Sequence, residues 1–185
     1  MSEAVTALTG RLSEALWPGG AEGADISVFM LLDAAQDRAI YPRLRSAGTD
    51  AAIVPLYEGA AAAEMAEVAP YLVRLSPDSA LLDWICREGW GANWGVLMAS
   101  AAPMDRVRAH LRKLTRVRTE DGRVLLFRFY DPRTLTVFVP TCDSAQLDEF
   151  FGPVVWFAAE NEDGAVLSRF TVGDGTLSKD RIVLR

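Results

Sequence analysis

Residues 26–32 read Ile-Ser-Val-Phe-Met-Leu-Leu, an apolar run interrupted only by Ser27. Nothing in it alternates with polar positions, so it leaves no face for water and reads as a buried strand. Ala51–Tyr57 is a second apolar run, Tyr71–Leu75 a third and Trp94–Ser100 a fourth. Segments of helical character lie between them. A short helix is expected over Asp37–Ser46 and an alanine-rich one near Ala60–Val68. Ser76-Pro77-Asp78 offers an N-cap, a proline at the first helical position and an acid in the first turn. The helix it opens sets Leu81, Leu82 and Ile85 on one face and stops near Gly89. Pro103 starts another, striped by Met104, Val107, Leu111 and Leu114. Strands and helices alternating over short connections predict an α/β fold, a central mixed β-sheet flanked by helices.

Beyond Leu114 the pattern changes to hairpins and short helices. Arg116-Val117-Arg118 and Val124–Tyr130 flank a turn at Glu120-Asp121-Gly122 and predict a β-hairpin. Phe127 and Phe129 alternate with Arg128 and Tyr130, so the phenylalanines should face the core and Arg128 and Tyr130 share the other face. Asp131-Pro132 is what a helix N-terminus requires, and a short helix or turn should run to Val139. Asp143 and Gln146 form a capping box for a helix whose apolar face is Leu147, Phe150 and Phe151, ended by Gly152-Pro153. Val154–Ala159 and Val166–Phe170 pair across Asn161-Glu162-Asp163-Gly164 as a final hairpin. At the other end, Ser2 is the expected N-cap of a helix carrying Val5, Leu8, Leu12 and Leu16 and ending at Pro18-Gly19-Gly20. Ala21–Asp25 reads as a polar linker. The expected organisation is an N-terminal helix (1–20), a single α/β domain (21–172) and a loosely held polar C-terminal tail (173–185).

Composition excludes several classes of function. The chain has 185 residues, 50% hydrophobic and 24% charged, which excludes disorder and allows a core that needs no metal or disulfide staple. A net charge of −6 argues against a simple cationic nucleic-acid binder. The single histidine, His110, sits at the edge of a helical stripe and reads as a packed residue, not a general base. Cys86 and Cys142 are isolated, and no zinc-ligand spacing or dinucleotide fingerprint occurs. Glu64 and Glu67 read as a solvated helix face. Gly173-Asp174-Gly175-Thr176 lacks a lysine in register and reads as a turn, not a phosphate loop. No catalytic set, cofactor or metal is expected. The start Met1-Ser2-Glu3 has no signal-peptide character, and the longest uncharged run, Gly89–Met104, is too short and irregular to span a bilayer. A cytoplasmic location is the expectation.

Charge is unevenly distributed. Residues 1–102 carry 6 basic and 13 acidic side chains, residues 103–133 carry 9 and 4, and residues 134–185 carry 4 and 8. Eight of the nine cations in the middle block are arginine, suited to carboxylate pairing and to interfaces. They read either as a docking surface for an acidic partner or as internal partners for the acidic remainder. Trp90 and Trp94 bracket Gly91-Ala92-Asn93 at the mouth of a strand, where tryptophan can anchor an interface. The candidate partner-binding residues are therefore Trp90, Trp94, Arg108, Arg112, Arg116, Arg118, Arg128, Tyr130 and Arg133.

A set of ordered phrases adds to this reading. They are Leu32-Asp33-Ala34-Ala35, Leu56-Tyr57-Glu58-Gly59, Ala66 through Val73, Gly89-Trp90-Gly91 with Trp94-Gly95, and His110 through Leu114. Then come Leu126-Phe127-Arg128-Phe129-Tyr130-Asp131-Pro132-Arg133, Val139-Pro140-Thr141 and Phe150-Phe151-Gly152-Pro153. Together, over about Val28 to Phe170, the chain resembles the type VI secretion effector-adaptor family, the Tap/Tec (VasW-like) chaperones first catalogued as a domain of unknown function. The resemblance implies a non-enzymatic adaptor that binds a cognate toxic effector and helps load it onto a VgrG-type spike protein, directly or through the effector. It implies no nucleic-acid, membrane or small-molecule partner. Some members carry an additional C-terminal helical lobe, which this chain is expected to lack. The phrases also have a structural reading, in which much of the signature holds the fold. The alternatives are a carboxylate-based enzyme of unknown substrate and a polyanion-binding module using the arginine-rich segment 103–133.

Overall fold

Strand β1 (Ser27–Asp33) runs through the middle of the protein with every residue after Ser27 buried. Its side chains divide between two cores: Val28, Met30 and Leu32 join one apolar cluster, Phe29 and Leu31 the other. A strand's period of two makes that division, and an apolar run without polar positions is what two covered faces require. The structure, a computed structural model, describes residues 3–18, 26–47, 52–118, 121–161 and 163–185. The expected cap Ser2, the linker Ala21–Asp25, Gly19-Gly20, Glu120 and Glu162 lie outside the described residues, as does the side chain of Arg118.

On one side of the sheet lie α1 (Glu3–Leu16), α2 (Ile40–Ser46) and α4 (Ala80–Trp84), the last continued by a π-helical turn over Ile85–Gly89. They bury Leu8, Leu12, Leu16, Ile40, Leu44, Leu81, Leu82 and Ile85 in the first cluster. The short α3 (Ala60–Glu64) buries none of its residues. On the opposite side α5 (Met104–Leu114), α6 (Pro132–Phe138) and α7 (Ser144–Phe151) supply Val107, Leu111, Leu135, Leu147, Phe150 and Phe151 to the second. The Asp143–Gln146 capping box forms as expected. The helix after β3 starts later than expected: Ser79, not Ser76, caps it, accepting the Leu82 N–H. Ser76 instead accepts the Ser79 N–H across a turn.

The sheet has seven strands in the order β2-β3-β1-β4-β7-β8-β9. Besides β1 these are β2 (Ile53–Pro55), β3 (Pro70–Leu75), β4 (Gly95–Ser100), β7 (Trp156–Asn161), β8 (Val166–Gly173) and β9 (Thr176–Val183). The α/β architecture with flanking helices is as expected, but every pairing is antiparallel and the sheet is not mixed. The reason lies in the crossovers. β1 and β2 point the same way but are separated by β3, and β3 and β4 are separated by β1. An alternating strand–helix pattern fixes the crossover but not whether another strand fills the gap it leaves.

Two further segments depart from expectation. The hairpin after α5 is short: β5 (Arg116–Arg118) pairs only with β6 (Val124–Leu126), and the strand stops before Phe127. Phe129 and Tyr130 lie beyond it in a turn, both buried, so the expected alternation of faces does not hold. The C-terminal tail is not loose. It forms β9, paired with β8 from Gly173↔Thr176 to Val166↔Val183, and buries Leu184 behind it. Asp174 and Gly175 both have positive φ (51° and 70°), the two-residue turn whose twist suits a hairpin. The N-terminal helix likewise shares the core of the domain.

Gly95 marks the tightest approach in the sheet: a Cβ there would lie 2.1 Å from the carbonyl oxygen of Leu31 on β1. Gly95→Ala should therefore cost about 3 kcal/mol, a fall in Tm of roughly 6–12 °C. Gly10→Ala, on a helix with open space around the new methyl, should instead stabilise by up to about 1 kcal/mol. Thermal melts of the two variants check this.

Candidate functional site

Most of the residues expected to meet a partner are used inside the fold. Trp94 is 3% exposed and its ring sits 4.7 Å from that of Trp84. Trp90 is half-buried against the same cluster, and its Nε1–H donates to the Gly164 carbonyl at 2.9 Å, tying the α4–β4 loop to the β7–β8 turn. Neither is an exposed anchor. Tyr130 is 2% exposed and hydrogen-bonds to the Tyr57 side chain; burial pushes its phenol well above the usual range. The sequence signal missed here was the end of β6, after which alternation no longer assigns faces.

The arginines resolve in the same direction. Arg108 donates from Nε to Pro55 O at 2.8 Å and from Nη2 to Tyr57 O at 3.2 Å, and pairs with Glu58 at 3.0 Å. Arg112 takes the other Glu58 oxygen at 2.5 Å. Arg133 folds back on its own helix cap, with Nε and Nη2 on the two oxygens of Asp131 at 2.9 and 2.6 Å. Burial opposes ionisation of Asp131, but hydrogen bonds from the Arg133 side chain and backbone outweigh it and hold the carboxyl below its ordinary value. Arg128 donates to Asp33, whose side chain is 1% exposed at the end of β1. Ala35 N–H and Gln36 Nε2 complete the donors around that carboxylate. Of the expected set, only Arg116 shows an exposed side chain with no ion pair among the described residues.

The remaining titratable groups are structural too. His110 is held by Phe150 O at 2.9 Å from Nε2 and lies against Gly152, where a Cβ would meet the ring at 2.4 Å. Burial pulls the imidazole below its ordinary value, over the opposing effect of the Phe150 carbonyl, with Lys113 and Glu149 the charges nearby. Glu160, 7% exposed, accepts the backbone N–H groups of Gly91 and Asn93, both at positive φ. Burial raises its carboxyl against those two donors. Cys86 and Cys142 are thiols outside any disulfide, both pushed up by burial. Among the described residues no cluster of His, Cys, Asp and Glu could hold a metal, and no helix is long and apolar enough to cross a membrane.

One surface that the fold leaves on the outside is an apolar hairpin above a basic groove. Val124, Leu125 and Leu126 of β6 are 57%, 45% and 57% exposed, and Val117 of β5 is 40% exposed. At the base of the hairpin a groove of about 670 Å³ runs between α3 and α5. Leu56, Met65, Ala109 and Leu126 give it an apolar lining, and Glu58, Arg112, Lys113 and Arg116 line it with charge. Among the described residues, three cations and one carboxylate line it. Exposed contiguous apolar surface of this kind is a mark of an interaction site. The cations of this region are legible in the sequence but the exposure of Val124–Leu126 is not, because a strand of a hairpin is expected to bury one face.

The model of a family described as Domain of unknown function (DUF4123) matches residues 28–149. No curated protein and no solved structure matches the chain.

Arg128→Ala leaves the buried Asp33 carboxylate short of its cationic donor. It should cost about 2–3 kcal/mol in urea denaturation, less than a fully buried pair because the guanidinium is 44% exposed. Arg116→Ala in the same block should stay within about 0.5 kcal/mol of the parent. For His110 the sign follows from its lowered value: the unfolded chain takes up the proton first, so the imidazole's contribution is full above about pH 6.5 and is lost as pH falls below it. The stability gap between the parent protein and His110→Gln should narrow from pH 7 to pH 5.

Proposed function

The chain belongs to the DUF4123 family, and on that premise we propose that it is a non-enzymatic adaptor. It binds a cognate type VI secretion effector in the cytoplasm and helps to load that toxin onto a VgrG-type spike protein. The observation that carries this reading is the exposed apolar hairpin Val117/Val124–Leu126 standing over the groove of Arg112, Lys113 and Arg116. Such a surface is complementary to another polypeptide: apolar area supplies affinity and the cations supply orientation and rate of encounter. The interior chemistry agrees with it. Asp33 and Glu160, the buried carboxylates best placed to do acid–base work, are each filled by donors from their own chain.

The test is co-expression of the tagged protein with the toxin and spike encoded beside it, followed by size-exclusion chromatography. A near-stoichiometric complex containing the toxin is the expected result. A protein that elutes alone at micromolar concentrations of all components overturns the adaptor reading.

A further inference from the structure

Among the described residues the two sheets end in four edge strands, and one of them is treated differently. The β2 edge of the large sheet is three residues long, ends in Pro55, and has the Pro55 carbonyl taken by Arg108. The β9 edge carries Lys179, Asp180 and Arg181 on consecutive exposed positions. In the small sheet β5 presents the exposed side chain of Arg116. Short length, proline and charge are the means by which sheets discourage pairing with other chains. The β6 edge, Val124-Leu125-Leu126, is as short as β2 but carries neither proline nor charge.

The backbone of β6 is oriented to accept a partner. Phe127 N–H bonds inward to Thr115 O, continuing the register Arg116↔Leu126. The alternation of an antiparallel ladder then turns the N–H and C=O groups of Val124 and Leu126 outward. Both faces of β6 are exposed as well: Leu125 on one, Val124 and Leu126 on the other. A helix lying on the hairpin covers one face only, whereas a strand beside β6 meets side chains on both and supplies the outward backbone groups with partners. A two-stranded sheet is marginal in water, and a third strand completes it.

We propose, resting on the adaptor reading, that the effector binds by strand addition. An extended effector segment, apolar on alternating positions and flanked by acidic residues, pairs with the β6 edge and sets its carboxylates on Lys113 and Arg116. Charge selects this occupant over a second copy of the chain, because β6-to-β6 pairing brings two groove regions of the same sign together.

Amide exchange on the purified effector complex tests the mode directly. Val124 and Leu126 amides should exchange at least tenfold more slowly in the complex than in the free protein. Leu125→Lys, which gives β6 the kind of charge that β9 carries, should weaken toxin capture by about tenfold or more, as should Lys113→Glu with Arg116→Glu, with Tm unchanged in each. A complex that forms with these amides unprotected, or that Leu125→Lys leaves intact, overturns strand addition while the adaptor reading stands. A toxin-free dimer abolished by Leu125→Lys assigns the edge to self-association and overturns it too. Failure to capture the toxin at all overturns both readings.

Discussion

Asp33 ends the central strand with its carboxylate 1% exposed, and a carboxylate in that position is tolerated only when donors surround it. Two donors are local, from Ala35 and Gln36, but the cation comes from Arg128, 95 residues further along the chain. That contact ties the long excursion between β4 and β7 back onto β1. It also places Phe129 and Tyr130 in the second core, where Tyr130 meets Tyr57 and Phe129 packs edge-on to Phe150. Asp131 then caps α6. One ion pair is thus followed within a few residues by a core, a cap and a helix.

The ordered phrases of the sequence meet one another in the same way. Leu32-Asp33-Ala34-Ala35 meets Phe127 through Arg133 at the Asp33–Arg128 pair. Glu58 of the Leu-Tyr-Glu-Gly phrase holds Arg108 and Arg112. His110 meets Phe150 and Gly152, and Gly95 admits the backbone of Leu31. A signature made of residues that touch each other preserves a scaffold. The apolar residues of β6, apart from Leu126, lie outside those phrases, as a surface matched to a particular partner can. Ion pairs of the scaffold hold Arg108, Arg112, Arg128 and Arg133 of segment 103–133, while Lys113 and Arg116 line the groove below the exposed hairpin.

Most of the strands and helices, and their order, were legible in the sequence, because apolar period and caps are local properties. β1, β4, α5 and the Asp143–Gln146 box lie where the pattern puts them. The strand β9 was missed although Asp174-Gly175 is a strong hairpin signal; its polar composition read as a tail because an edge strand is expected to be charged on its open side. Of the candidate site, the cations were visible but their use was not. Arg112 and Arg116 sit four residues apart at the junction of α5 and β5, and only the position of Glu58, brought over by the β2–α3 connection, separates a structural arginine from an available one.

By itself the sequence determined that this is an α/β domain with a doubly covered central strand and an arginine-rich segment, since composition, period and capping act within a few residues. The tertiary structure alone decided that the sheet is antiparallel, that Trp94 and Tyr130 are interior, that Arg108, Arg112 and Arg128 pair with distant carboxylates, and that β6 is the unguarded edge. Those outcomes depend on which segments, distant in sequence, are brought within a few ångströms of each other. Burial and pairing are properties of that arrangement and of no single stretch of chain.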